Sequence, residues 1–383
     1  MPGCSRRLSS WRSRLRAKAA RGVASFTGGG KSGTQARVKP GDFLLFNQQL
    51  AAIIRAGIPI LQAVAMLRRR ATSSRLRSVL GDVEEKIRGG MSLSSAFAAQ
   101  GPIFPRIYTA SILAGERSGA LDDVLARYVA YMRRGVEIRR KIRGALAYPL
   151  FLLAASMGMV MFLTVYVVPK MSSLFEGFNR ELPAVTKTVI AISHFASANF
   201  WWLVPAVLLG GVGLYLWTRT PSGALAFDRF LLKLPIVNAL IKQLAVAQMT
   251  RSLATLLAGG ITLVESWEIA AESITNKELR ARSSATLPMI REGRSFTESL
   301  ESAGWIPPLA LDMIGVGERS GSLREMLEEV ADFHDRESEV RLEQLTTVLE
   351  PAILLVMGGV VVTILLSIYL PIIQSISNLS FRG

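Results

Sequence analysis

Three stretches of this chain carry no charge over a length that matters, and between them apolar residues recur at helical spacing. Residues 149–168 are 20 positions without a charged side chain, enough at ~1.5 Å per helical residue to cross a ~30 Å hydrocarbon layer. A second apolar stretch runs from Trp201 to Trp217, with Trp201, Trp202 and Trp217 spaced as interfacial anchors at its ends. The third runs from Pro351 to about Ile373, inside an uncharged stretch that continues to Phe381. Elsewhere the pattern is that of short amphipathic helices, as in Phe43, Phe46, Leu50, Ile53 and Ile54, started by Asp42 and stopped by Gly57. Ser/Thr-x-x-Glu capping boxes at Thr262 to Glu265, Ser295 to Glu298 and Ser322 to Glu325 mark three more helix starts. Alternation of the kind a strand requires is not convincing anywhere, so the expected fold class is all-α.

The pattern is written twice. Gly115-Glu116-Arg117-Ser118-Gly119 returns as Gly317-Glu318-Arg319-Ser320-Gly321, and Pro149 and Pro169 return as Pro351 and Pro371, all 202 positions on. Toward the N-terminus the offset becomes 203, pairing Gly90 with Gly293, Ser92 with Ser295 and Gly57 with Gly260, so one residue has been gained or lost in a connection between helices. The apolar positions follow: Phe43, Phe46, Leu50, Ile53 and Ile54 map onto Val246, Met249, Leu253, Leu256 and Leu257. Pro59 takes the place of Thr262 and suits a first-turn position. A repeat of this length is a duplicated domain. Each copy reads as a helical module followed by a membrane helix.

Half of the residues are apolar, mean hydropathy is +0.33 and net charge is +16, as in a membrane protein with basic inner parts. That requirement accounts for the charge, and nucleic acid is not an expected partner. Lys and Arg number 27 before the first apolar stretch, 3 in residues 170–198, 14 in residues 218–350 and 1 after the third. The short outer loop and the basic N-terminal side put the first and third of these segments in the cytoplasm. The resulting organisation is a basic Gly-rich tail (1–40), a first module (41–147), a span (148–169), an outer loop (170–198), a span (199–217), a second module (218–350), a span (351–373) and an outer tail (374–383). The tail contains Ser5-Arg6-Arg7 without the apolar region of an export signal, and Gly30-Lys31-Ser32 with Ser25 where a phosphate-binding loop needs glycine.

Candidate chemistry is sparse. The single cysteine, Cys4, and two histidines, His194 and His334, make neither a disulfide nor a metal cluster. No catalytic residue, cofactor site or metal site is expected. Gly115, Glu116, Ser118 and Gly119, with Gly317, Glu318, Ser320 and Gly321, read most simply as a helix end and the next helix start, the glutamates capping or pairing locally. The functional alternative is a partner surface, or a cation held with Asp122 and Asp123. Arg133, Arg134, Arg139, Arg140, Lys141 and Arg143 precede the first span, whereas seven acids, from Glu328 to Glu343, precede the third. The basic cluster suits topology and anionic lipids, at about 1 kcal/mol per charge, and it also offers the acidic helix a docking face. Glu350 stands at the edge of the third span, where the other copy has Tyr148, and is expected to need a partner such as a positive group on another span or an arriving subunit. Pro149 and Pro351 are expected to start or kink their spans. His334, between Asp332 and Asp335, reads as part of a solvated face, since no nucleophile is spaced with it.

With three spans and a Gly-Glu-x-Ser-Gly motif in each of two helical modules, the chain resembles the type II secretion system F family. Gln49-Leu50-Ala51, Ala56-Gly57-Ile58-Pro59 and Glu350-Pro351 add to the likeness, which covers about residues 42–375. The resemblance implies six-helix bundles for the two cytoplasmic modules and a non-enzymatic inner-membrane platform in type II secretion or type IV pilus assembly. It implies as partners a cytoplasmic hexameric assembly ATPase, pilin or pseudopilin subunits, other inner-membrane scaffold proteins and further copies of the chain. A small polytopic transporter is the rival reading, but its spans would carry a polar or broken-helix site near the midplane. An intramembrane enzyme would need paired catalytic residues at one depth, which these spans lack.

Overall fold

A computed structural model describes residues 40–71, 73–170 and 184–380 of the chain. The basic tail before Pro40, part of the segment 170–198 and residues 381–383 lie outside that range. Every regular element among the described residues is helical. The first copy comprises α1 (Pro40–Arg55), α2 (Ile60–Arg70), α3 (Ser74–Arg88), α4 (Leu93–Ala98), α5 (Arg106–Ser118) and the long α6 (Leu121–Phe162). After α7 (Ala184–Ala198), α8 (Phe200–Trp217) and α9 (Pro221–Leu231), the second copy is built from α10 (Pro235–Ala258), α11 (Leu263–Ser273), α12 (Lys277–Ser284), α13 (Leu287–Arg291), α14 (Phe296–Ser302), α15 (Pro308–Ser320) and α16 (Leu323–Ser380).

The duplication extends to the backbone. The eight glycines with positive φ form four equivalent pairs: Gly57 and Gly260, Gly90 and Gly293, Gly101 and Gly304, Gly119 and Gly321. The one-residue slip falls just after the third pair, where a 3-10 turn at Gly101–Ile103 leads to the cap Pro105, while the other copy reaches its cap, Pro307, one residue sooner. Pro59 is the N-cap of α2, not a first-turn residue, because its φ of −55° and ψ of 141° supply the extended cap conformation that Thr262 supplies for α11. A second difference is α3, whose counterpart is split into α12 and α13 with Pro288 at the start of the latter. A proline is tolerated in a first turn, where its missing N–H has no intrahelical partner.

Each copy closes around its own core. In the first, α1 lies along α6, and Phe43, Phe97, Phe104, Tyr108 and Tyr128 meet ring against ring, with centroids as close as 4.7 Å for Phe97 and Phe104. In the second, α10 lies along α16, and Trp267, Phe296, Trp305, Leu300, Met249 and Ile314 are all buried. The copies also touch each other: α5 meets α10 and α11, and α6 meets α10 and α16.

Among the described residues two helices are long and apolar enough to cross a membrane, the one spanning Leu121–Lys170 and the one spanning Leu323–Leu370. Both emerge from a bundle without a break. Pro149 and Pro351 therefore lie inside continuous helices rather than at helix starts, and each removes one i to i−4 hydrogen bond that the turns around it survive. A π-helical turn, Leu163–Val167, interrupts the first of them near its far end. There the Ser193 hydroxyl of α7 donates to the Thr164 carbonyl, and Thr186 of the same helix donates to Ser367 O of α16 at 2.9 Å. Much of the stretch expected as an outer loop is thus a helix packed on the far turns of the long helices. The pair α9 and α10 is bent by 113°, and the later turns of α10 belong to the second core, with Val246, Met249 and Leu253 fully buried.

Candidate functional site

The repeated motif forms the same device twice. Its first glycine permits two helices to touch: a Cβ on Gly115 would come within 3.0 Å of Leu121 Cα, and one on Gly317 within 2.8 Å of Met326 Cβ. Its last glycine ends the helix in the left-handed region, at φ 72° for Gly119 and 74° for Gly321, where a Cβ is strained. Ser118 and Ser320 fold back on the last turn, their hydroxyls donating to Gly115 O at 3.4 Å and Val316 O at 2.8 Å.

The glutamate between them caps another helix. Glu116 accepts from the backbone N–H groups of Leu93 (2.5 Å) and Ser94 (3.2 Å) at the start of α4, and from the Ser94 hydroxyl. Glu318 accepts from Phe296 N (2.6 Å), Thr297 N (2.9 Å), Thr297 Oγ1 (2.6 Å) and Ser295 Oγ (3.0 Å) at the start of α14. A carboxylate there satisfies N–H groups that have no intrahelical partner and meets the positive end of the helix dipole. Burial works against the charge of Glu318, but the bonds from Thr297, Phe296 and Ser295 prevail and hold its carboxyl below the usual value. Asp122 and Asp123 sit in the first turn of α6, and no group of three or more metal-ligating side chains occurs among the described residues.

The second cluster is the seam between α6 and the helices of the other copy. Asp335, 1% exposed, is its hub: Oδ2 lies 3.3 Å from Arg134 Nε and 2.5 Å from Arg251 Nη2, and the same guanidinium reaches Asp332 at 2.8 Å. Farther along, Lys141 pairs with Glu339 at 2.6 Å, and the Tyr148 hydroxyl donates to Glu350 at 3.1 Å. Of the basic cluster, Arg134 and Lys141 thus meet the acidic helix, whereas Arg133, Arg139, Arg140 and Arg143 are exposed and form no ion pair with a described residue. Burial opposes the charge of Arg134, yet Asp335 outweighs it and raises the pKa above the ordinary value. Glu350 finds a phenol at the equivalent position of the other copy in place of the positive group expected.

His334 overturns its reading as part of a solvated face. It is 1% exposed, its Nδ1 donates to the Gln243 side-chain oxygen of α10, and its Nε2 is buried without a hydrogen-bond partner among the described residues. The signal was present in the sequence, since Leu327, Val330, Ala331, His334, Ser338 and Leu342 form one helical stripe and all are buried. Burial lowers its pKa, against the pull of Glu337 and Asp335. Arg251 had no such signal, because only the packing of α10 on α16 shows what it faces.

The sequence profile of the type II secretion system protein F family matches the chain twice, at residues 46–169 and 249–371, once on each copy. Among individual proteins, the chain is 32% identical over 353 residues to the type IV pilus assembly protein PilC of Pseudomonas aeruginosa, covering 91% of this chain and 92% of that protein. It is 33% identical to the PilC of Thermus thermophilus, with 89% and 84% covered, and 35% identical to the type II secretion system protein F of Pseudomonas aeruginosa, with 87% and 82% covered. The twofold match coincides with two helical bundles that carry the Gly-Glu-x-Ser-Gly device and run into apolar helices, and the chain belongs to the type II secretion system protein F family of membrane proteins.

Proposed function

We propose that this protein is the inner-membrane platform through which a cytoplasmic assembly ATPase drives extraction and polymerisation of pilin or pseudopilin subunits. The observation that carries the reading is continuity. α6 and α16, 42 and 58 residues long, are core helices of their bundles and each also carries an apolar stretch long enough to cross a membrane. Displacing either bundle therefore turns or tilts the apolar segment attached to it, with no loop to absorb the motion. In this reading residues 149–168, 201–217 and 351–373 span the membrane, the two bundles and the N-terminus are cytoplasmic, and the C-terminus faces out. The exposed arginines at 133, 139, 140 and 143 lie against anionic lipid. Several copies form the platform, beside other scaffold proteins of the machine.

The protein acts without catalysis, as a mechanical part. Inserting Gly-Gly after Gly144, between bundle and span, is expected to leave ATPase capture by the full-length protein intact while pilus or pseudopilus assembly is lost. Undiminished assembly by that variant would overturn the coupling mechanism. Failure of the unaltered protein to bind the ATPase would overturn the partner itself.

A further inference from the structure

The two copies meet through surfaces that are used once and present twice. On the first copy the contributing surface is the outer face of α5. Arg106 bonds Glu272 at 2.7 Å and Glu268 at 3.2 Å on α11, and Ala114 packs so closely on Gly259 that a Cβ there would lie 3.3 Å away. Arg106 is held charged chiefly by its bond to Glu272, with burial opposing. By the offset of the repeat, equivalent faces exist on the other halves, with Pro308 and Ala65 in the places of Arg106 and Glu268: the outer face of α15 corresponds to α5, and the end of α1 with α2 corresponds to the end of α10 with α11.

Those second surfaces lie open, and their composition differs from that of solvated helix faces. Ile107 of α5 is 5% exposed, whereas its equivalent in α15, Leu309, is 48% exposed; Ile269 of α11 is 5% exposed, whereas its equivalent in α2, Met66, is 38% exposed. Half-buried Ala114 becomes Val316, also 48% exposed, and half-buried Gly259 becomes exposed Ala56. Charge is complementary across the open pair. Asp312 projects between Leu309 and Val316, while Arg69, the equivalent of Glu272, ends α2 beside Arg70; all three are exposed and make no ion pair with a described residue.

A contact in which one face meets a different face, and which does not close within the chain, leaves a free face of each kind. We infer that α15 of one chain docks on α2 and the end of α1 of a second copy, repeating between chains the contact that α5 makes with α11 inside one. In that docking Val316 packs on Ala56, Leu309 approaches Met66, and Asp312 is paired by Arg69 of the neighbouring copy. The inference rests on the homo-oligomeric platform proposed above and assigns the surface that builds it.

The test uses the full-length protein in a Cys4→Ser background, with Ala56→Cys chains and Val316→Cys chains co-expressed under different affinity tags and oxidised after tandem purification. A disulfide-linked two-chain band several-fold stronger than from either variant alone is expected. Asp312→Arg on the Val316→Cys chain is expected to reduce it several-fold, and Arg69→Glu on the other chain to restore it. Leu309→Cys with Met66→Cys provides a second pair should either first variant fold poorly. Equal cross-linking of Val316→Cys chains with one another, or no cross-link in both mixtures while the unaltered protein has an oligomeric mass, would overturn this surface alone. A monomeric mass for the unaltered protein would overturn the homo-oligomeric platform along with it.

Discussion

Tyr108 and Ala310 occupy equivalent positions on α5 and α15, both without solvent exposure, and the difference between them shows how the two copies keep one backbone with two interiors. Where the first copy has Tyr108, the second has a methyl group; where the second has Trp267 on α11, the first has Val64 on α2. The large ring has moved from one helix to another. Its polar handle has moved with it, since Trp267 Nε1 donates to Thr286 at 3.1 Å and Trp305 Nε1 to Ser283 at 3.2 Å, where the first copy has Val83 and Leu80. The Tyr108 hydroxyl, by contrast, is buried with no hydrogen-bond partner among the described residues. Core volume can be redistributed among helices as long as the sum is kept and the polar atoms are paired. The junctions could not drift in this way. Both Gly-Glu-x-Ser-Gly devices are retained with three equivalent bonds to the glutamate, and Ser295 adds a fourth in the second copy, because close approach, a left-handed residue and a carboxylate cap each admit few side chains.

The two copies differ most in electrostatics at positions 133 and 335, which are equivalent in sequence but opposite in environment. Asp335 is buried between Arg134 and Arg251, and removing one partner of such a pair leaves the others uncompensated, so Asp335→Ala is expected to cost about 3–5 kcal/mol. Arg133→Ala, exposed and in no ion pair with a described residue, is expected to change stability by under ~0.5 kcal/mol. Thermal or denaturant unfolding of the two variants in one detergent measures the contrast, and equal losses would mean that the seam holds nothing.

Next in size are the caps. Glu318→Ala and Glu116→Ala each strand N–H groups at the start of a short helix, at about 2 kcal/mol apiece. Because the folded-state pKa of Glu318 is depressed, its contribution is complete above the ordinary glutamate value of 4.5 and is lost as the pH falls through the lowered folded-state value. The Glu318→Ala penalty is therefore expected to shrink between pH 6 and pH 3, read from unfolding at each pH; a penalty independent of pH would deny the cap its charge. The smallest effect has the opposite sign. Tyr108→Phe removes an orphaned hydroxyl while keeping the ring, and is expected to stabilise the first copy by about 1 kcal/mol. Loss of stability there would show that the hydroxyl has a partner after all.

The duplication, the all-helical class, the long apolar helices and several helix starts and stops were legible because they depend on local rules, although Asp42 lies in the first turn of α1 and not at its cap. Glycine at a left-handed stop, serine or threonine ahead of glutamate at a start, and apolar residues at 3.6 spacing act over a turn or two, and the repeat states each of them twice. Even the buried stripe through His334 was written there, masked by its acidic neighbours. What lies across a contact was not. That Glu116 and Glu318 reach back some 22 residues to cap another helix, that Arg251 and Arg134 converge on Asp335, and that Tyr148 faces Glu350 all depend on how helices distant in sequence pack. Only tertiary structure decides which of two equivalent faces is covered and which is left open, because the repeat makes those faces nearly alike and packing alone separates Ile107 from Leu309.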